Sequence, residues 1–406
     1  MGLNPADEQA VLSALMTFVD WLDRYGETSH DHQSFFAGDL GRAAKALYYK
    51  NKKVGTLAVA PMILCEAFLP ASRAIFWKRQ RFPIADAHYA SGFAFLSETL
   101  GQPRYHERAV HFLEVLIATR SQGFANHAWG YPFDWVTMNG TLTAGTPMIT
   151  TLPYVYEAFR DVNRLDHNEK WRVVMRSIAD HALNDYEDFE TSPTGRSTAY
   201  TPRPGKLGGV INASAYRAGL LTMAARDFGD EACQRVAQAN LNFVLESQNA
   251  DGSWFYSTDG KRDFVDHFHT CFVMKALAKI EAITGCSRCT TALERGVRYY
   301  VDNLFDEGLP KPFSRAPRLT VYRRELYDYA ECLNLAALLG GRFPAFDALL
   351  PGIVGDVLGR WRKPDGSFRS RQLLAGWDNV PMHRWAQAQL FRSLSLLASR
   401  TPTNAS

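Results

Sequence analysis

Loops rich in glycine, proline and aromatic residues recur along this chain, near residues 80, 131, 204, 254, 310 and 366. The last four lie 50, 56 and 56 residues apart, the length of one helix pair with its turns. Between the loops the periodicity is helical. Leu241, Val244 and Leu245 share one face of 240–247, and Val273, Leu277 and Ile280 share one face of 272–280. Extended alternating runs are nearly absent. The pattern predicts first helices over 57–77, 103–121, 169–189, 230–248, 290–304 and 344–361. Second helices are predicted over 83–100, 147–161, 211–227, 264–284, 321–339 and 381–398. Gly101, Gly229 and Gly285 are the visible stops. Residues 5–24 add one further amphipathic helix.

A single hairpin of this kind cannot bury its apolar face, but six can do so by closing into a ring. The expected fold class is therefore all-α, an (α/α)6 toroid of six helical hairpins with an extra N-terminal helix. The second helices form its inner barrel. The expected organisation is an N-terminal helix and lead-in segment over 1–56 and a single toroid over 57–400, with a frayed tail over 401–406. An open solenoid is the structural alternative.

Composition narrows the classes. Hydrophobic residues are 46% and charged residues 21% of 406, which excludes a disordered or collagen-like chain. Lys+Arg 45 against Asp+Glu 42 is too balanced for a nucleic-acid binder. Six scattered cysteines form no disulfide framework, and Cys286-x-x-Cys289 lacks the second pair of a zinc ribbon. Residues 1–11 show no basic n-region and no apolar h-region, so a cytoplasmic location is the expectation. The segment 57–77 is apolar apart from Glu66, Ser72 and Arg73, and three basic residues follow within 78–81. It reads as a buried helix with a basic exit, and secondarily as a helix associated with a membrane surface.

The run 239–254 carries Leu241, Gln248, Gly252 and Trp254 in the order of the QW repeat of squalene-hopene and terpene cyclases, which it resembles. A degraded copy spans 360–368. The motif ends an outer helix, turns at glycine and pins the turn with an aromatic. The cyclase motifs Asp-x-Asp-Asp and Asp-Asp-x-x-Asp are missing, and so is the Asp-x-Cys zinc pair of protein prenyltransferases. Three further segments, Trp129–Trp135, Asp263–Thr270 and Asn379–Trp385, resemble toroid proteins that act on polysaccharides: six-hairpin glycosidases, uronate epimerases and uronate lyases. That resemblance implies a sugar-handling mouth, and it supplies no catalytic assignment.

In a closed ring the first turns of the inner helices gather at one mouth. The candidate binding residues there are Asp86, His88, Tyr216, Arg217, His383, Arg384 and Trp385, with Trp129 and Trp254 as aromatic platforms. Asp266 and His269 lie i,i+3 on one helix face, so His269 reads as a general acid/base oriented by Asp266. A capping Asp beside a packed His is the other reading. Arg324, Tyr327 and Glu331 are spaced three and four, which puts a carboxylate clamp, a proton donor and a base on one helical face. Basic residues crowd the mouth loops, among them Lys206, Arg262, Arg315, Arg318 and Arg371, and a positive rim attracts an anionic ligand. The spacings give no metal ligand set, and no cofactor fingerprint occurs.

The function these readings favour is a carbohydrate-active enzyme acting on an acidic, uronate-type oligosaccharide or polysaccharide in surface-polysaccharide synthesis. The step would be epimerisation or β-elimination through His269 and Tyr327, or hydrolysis through Asp86, Asp266 and Glu331. A terpene cyclase or prenyl-binding toroid, and a glycan-binding toroid without catalysis, are the alternatives. Nothing in the sequence sets the oligomeric state.

Overall fold

The computed structural model describes residues 5–204, 208–317 and 319–400. Lys206, Arg318 and the expected tail lie outside these residues. Helix makes up 62% of the chain. Twelve ring helices run in chain order: α1 (Pro5–Tyr25), α2 (Pro83–Leu100), α3 (Pro103–Ala118), α4 (Leu152–Asp166), α5 (Glu169–Asn184) and α6 (Ile211–Phe228). They continue as α7 (Glu231–Glu246), α8 (His267–Thr284), α9 (Ser287–Asn303), α10 (Leu326–Leu339), α11 (Leu350–Asp356, extended by a π-turn over Val357–Trp361) and α12 (Ala388–Ser399).

Even-numbered helices form the inner ring and odd-numbered ones the outer, as the burial of each shows. In α9 the buried residues are Cys289, Ala292, Leu293, Gly296, Val297 and Tyr300, a stripe at helical spacing with charged residues elsewhere. In α6 every residue from Ile211 to Ala225 is buried, which is the signature of a helix packed on all sides. Inner neighbours pack in the order α2, α4, α6, α8, α10, α12 and back to α2, so the ring is closed rather than an open solenoid. Left-handed glycines at 101, 229 and 285 end α2, α6 and α8 at the expected stops, and Gly340 ends α10 in the same way.

The ring differs from the expected helix order at its start. The helix expected over 57–77 spans Lys52–Phe68, ends before Pro70 and resumes only as Arg73–Phe76. It is not an outer helix. With Ser34–Ala37 and Asp39–Lys50 it forms a side hairpin around a small core of Phe35, Ala44 and Met62. The extra N-terminal helix, α1, takes the outer place, packed on α12 and α11. A second difference concerns residues 321–339. Tyr322–Glu325 is a strand paired with Arg371–Leu373, and the helix begins only at Leu326. Arg324 therefore does not share a helical face with Tyr327 and Glu331.

Ring closure between α2 and α12 depends on Gly92. A Cβ there would sit 2.5 Å from the buried Phe391 ring and 3.2 Å from the Arg392 Cα. At Gly219 in α6 the same atom would meet only Ala276, at 3.7 Å. Alanine favours a helix over glycine by ~1 kcal/mol at either position. Overpacking at Gly92 costs ~1–3 kcal/mol. We expect Gly92→Ala to lower the denaturation midpoint and Gly219→Ala to leave it unchanged or raise it. Urea titrations of the two variants side by side check this.

Candidate functional site

The first turns of the inner helices surround a chamber of about 280 Å³. Ile84 of α2, Tyr154 of α4, Asn212 and Tyr216 of α6, Phe268, His269 and Phe272 of α8, Tyr327 of α10 and Gln389 of α12 line it. Mouth loops add His32, Gln33, Tyr131, Trp135, Thr150, Tyr200, Tyr256, Phe264, Arg384 and Trp385. Eleven of these nineteen residues are Tyr, Trp or Phe, and six of the eleven are tyrosines. The lining thus combines flat apolar faces with phenol hydroxyls, the surface on which a sugar ring both stacks and hydrogen-bonds.

Asp266 is the N-cap of α8. One of its carboxylate oxygens accepts the His269 backbone N–H at 2.8 Å, and the other accepts the ring Nδ1–H at 2.6 Å. The residue that caps the helix thus also holds the imidazole through Nδ1. Asp266 is buried, at 2% exposure. With Nδ1 held, Nε2 is left as the basic nitrogen, and no hydrogen bond engages it among the described residues. Tyr256 and Phe272 meet the ring edge-on at 4.7 and 5.5 Å and fix its plane.

Tyr327 stacks on Trp385 with centroids 4.1 Å apart and planes 10° from parallel. Burial, and then Glu331 nearby, push its phenol well above the usual range, so at neutral pH it is a hydrogen-bond donor. Trp385 donates its indole N–H to Glu325 at 2.7 Å. Arg384 is held by Asp31 through two bonds of 2.9 and 2.7 Å, and its remaining NH1 reaches the Tyr131 hydroxyl at 3.1 Å. Burial pushes Arg384 down, but Asp31 more than reverses this, and the guanidinium stays charged.

The structure thus brings His269, Tyr327, Tyr216, Arg384 and Trp385 to one chamber, with Asp266 buried behind His269 and outside the lining. Glu331 is not among its lining residues. It forms a buried ion pair with Lys275, whose Nζ also lies 3.5 Å from the Tyr154 hydroxyl. Asp86 is buried against Arg81 at 2.9 Å, outside the lining, and burial against that pairing raises its carboxyl to about 7. His88 is buried beside Tyr154 with no partner on either ring nitrogen among the described residues.

The other expected binding residues hold the frame. Arg217 ties α6 to Ala182 O, Leu183 O, Thr198 and Asp188. Arg324 caps the carbonyls of Leu309 and Pro310 at 2.9 and 2.8 Å. Trp129 and Trp254 are buried and donate to Leu116 O and Val244 O, so they pin outer helices and do not face a ligand. His383 sits between Gly26 O at 2.9 Å and the Tyr89 hydroxyl at 2.5 Å. Much of the expected positive rim is spent in ion pairs: Arg262 with Asp259, Arg315 with Asp263, and Arg371 with Glu325 and Glu66. Among the described residues no group of three His, Cys, Asp or Glu side chains is arranged to hold a metal ion.

Sequence reading missed His32 and Asp31. They belong to the lead-in, which no periodicity ties to the mouth; the polar run His30-Asp31-His32 was the available signal. Burial holds the His32 imidazole well below its ordinary range, hence neutral, and it packs on Trp385 at 4.6 Å.

No protein-family model and no curated protein matches the sequence. Among solved structures, the chain is similar to a cellobiose 2-epimerase from Bacillus thermoamylovorans, with a TM-score of 0.60 at 11% identity over 78% of this chain and 87% of that one. It is similar to a family 76 α-1,6-mannanase of Salegentibacter, solved with α-1,6-mannotriose, with a TM-score of 0.58 at 11% identity over 80% and 90% of the two chains. A polysaccharide lyase aligns with a TM-score of 0.53 at 10% identity over 77% and 88%. The fold is the α/α toroid. The likeness to toroids that act on polysaccharides, expected from sequence, holds at the level of this architecture.

Burial pushes His383 down to about 4. Because the folded state favours the neutral ring, this histidine's share of stability is full above pH ~6.5 and is lost as pH falls toward 4. At pH ~5 the loss is about 2 kcal/mol. We expect the melting temperature to fall between pH ~6.5 and 4.5, and His383→Gln to be less stable at neutral pH with a flatter decline. Melting curves across that range check it.

Proposed function

We propose that this protein is a carbohydrate-active enzyme that transfers a proton on a sugar bound in the aromatic chamber. The observation that carries the reading is the Asp266–His269 dyad, with its free Nε2 beside a wall of tyrosines and tryptophans. His269 removes the proton from the carbon next to the sugar's carbonyl. The electron pair passes to the carbonyl oxygen, where the Arg384 guanidinium and the Tyr327 hydroxyl stabilise the developing charge. Return of a proton to the other face gives the epimer, and loss of a leaving group from the neighbouring carbon gives the elimination product. His32 is held neutral and has no proton to give, so the returning proton is drawn from water, and the protonated His269 neutralises the hydroxide that is left. Hydrolysis ranks lower, because it needs two carboxylates flanking the bond and no carboxylate is among the chamber's lining residues.

At about 280 Å³ the chamber is at the small end of ligand sites, which suits one end of an oligosaccharide better than a chain running through. Its one arginine is already shared with Asp31. A neutral sugar therefore fits the lining better than the uronate that the basic loops suggested. The preponderance of aromatic rings favours a second reading, a prenyl ligand, but six of those rings carry hydroxyls, which a hydrocarbon chain would leave unused.

Calorimetric titration with neutral disaccharides, uronate oligosaccharides and prenyl diphosphates in parallel separates these readings. We expect the neutral sugars to bind. His269→Ala should retain that binding and lose at least ~100-fold in turnover, with Tyr327→Phe showing a smaller loss. Binding of prenyl diphosphates alone would assign the chamber to the second reading.

A further inference from the structure

The helix Lys52–Phe68 is inverted. Its inward stripe, Gly55, Val59, Met62 and Glu66, contains its only acid, and Glu66 is paired with Arg371. Its outward stripe begins at Lys53 and continues through Leu57, Leu64 and Phe68, spaced by four and seven residues. Leu57 is 77% exposed, Leu64 57% and Phe68 63%; just beyond the bend, Leu69 is 64% and Ile75 86% exposed. A helix at a water-facing surface carries its apolar stripe toward the core. Here that stripe faces out, and contiguous apolar patches of this kind mark interaction sites.

The charge around the patch identifies its partner. Residues 39–81 hold nine Lys and Arg against Asp39 and Glu66, while the whole chain is only +3. Arg42 is paired with Asp39, Arg73 with Asp378, and Arg81 with Glu27 and Asp86; the remaining six are lysines and Arg79. Lys50, Lys52 and Lys53 are exposed at the start of the helix, and Lys78 and Arg79 are exposed where the segment re-enters the ring. Cations therefore flank the apolar stripe at both ends, which is the arrangement of a helix lying in the interface of a membrane with anionic headgroups. Among the described residues no single helix is long and apolar enough to cross a membrane.

We infer that the side hairpin of residues 39–76 docks the protein onto an anionic lipid surface, with Leu57, Leu64, Phe68 and Ile75 entering the headgroup layer and the flanking lysines contacting lipid phosphates. The hairpin is fastened beside the chamber mouth. Arg73 is buried against Asp378 at 2.8 Å, Glu66 accepts from Arg371 at 2.6 Å, and Lys45 donates to Gln33, a residue of the chamber lining, at 3.1 Å. Docking this surface brings the chamber close to the bilayer. Taken with the proposed sugar chemistry, on which this clause rests, the substrate is a glycan presented at the membrane, carried on a lipid or extending from it.

The test is sedimentation of the full chain with vesicles of phosphatidylcholine mixed with phosphatidylglycerol, and with vesicles of phosphatidylcholine alone. The expected result is binding to the anionic vesicles and at least tenfold less to the neutral ones, weakened by salt. Leu57→Glu with Leu64→Glu should abolish binding. Lys52→Gln with Lys53→Gln should weaken it by at least ~tenfold, since each basic residue contributes roughly fivefold. All four side chains are exposed, so the melting temperature should hold, and it is measured alongside. Absence of binding to anionic vesicles, or binding that survives Leu57→Glu with Leu64→Glu, overturns the proposal. So does lipid-free dimerisation that the same pair of changes removes, because it gives the surface to a second copy of the chain. Vesicle binding requires no sugar, so its failure leaves the chamber chemistry standing, and inactivity toward sugars leaves the docking standing.

Discussion

Closure of the inner ring is the constraint on which everything else rests. Six helices buried on nearly all sides have no stable existence singly, and each needs both neighbours and an outer partner. The last helix must therefore reach the first inner one, and the α2–α12 contact at Gly92 and Phe391 is where the chain makes that join. Once the ring is closed, all inner N-termini point one way. The chamber is a consequence of that direction, and the residues that line it come from turns far apart in the chain.

Below the chamber charged side chains cross the axis, and Glu157, Lys279 and Arg392 there line a second cavity of about 610 Å³. Glu157 of α4 accepts from Lys279 of α8 and, at 2.5 Å, from Arg392 of α12, while Lys275 of α8 pairs with Glu331 of α10. Burial pushes the Glu157 carboxyl up, and the two cations more than reverse this, holding it at about 2. These pairs tie four inner helices together across the barrel. Buried pairs of this kind add little stability over an apolar core, but losing one partner costs ~3–5 kcal/mol, so they fix register. They also consume the acids nearest the axis. What remains to face the chamber is a histidine oriented by its own helix cap, one arginine and a set of phenols, and that inventory suits proton transfer better than cleavage by paired carboxylates.

Much of the ring was legible in the sequence, because helical periodicity and glycine stops are local signals. Gly101, Gly229 and Gly285 mark real helix ends, and the Asp266–His269 spacing alone specified a shared face. Other features depended on tertiary information. Arg324 falls on a strand because it pairs with 371–373, fifty residues later. Glu331 shares the face of Tyr327 but lies one turn deeper, where Lys275 claims it. The segment 57–77 has the composition of a core helix and yet exposes its apolar face; nothing local separates those two outcomes. Trp129 and Trp254 carry the aromatic signature of a sugar platform, but their indole N–H groups are taken by outer-helix carbonyls. His32 reaches the chamber only because the lead-in folds back over the mouth.

The central claim is that His269 removes a carbon-bound proton from a sugar held in this chamber. Incubating the protein with neutral reducing disaccharides in heavy water, and following deuterium in the sugar by mass spectrometry and NMR, tests it most directly. One solvent deuterium should enter at the carbon beside the carbonyl, and that exchange should be lost in His269→Ala while the sugar still binds. Turnover of a sugar without deuterium entering at that carbon, or exchange that persists in His269→Ala, would contradict it.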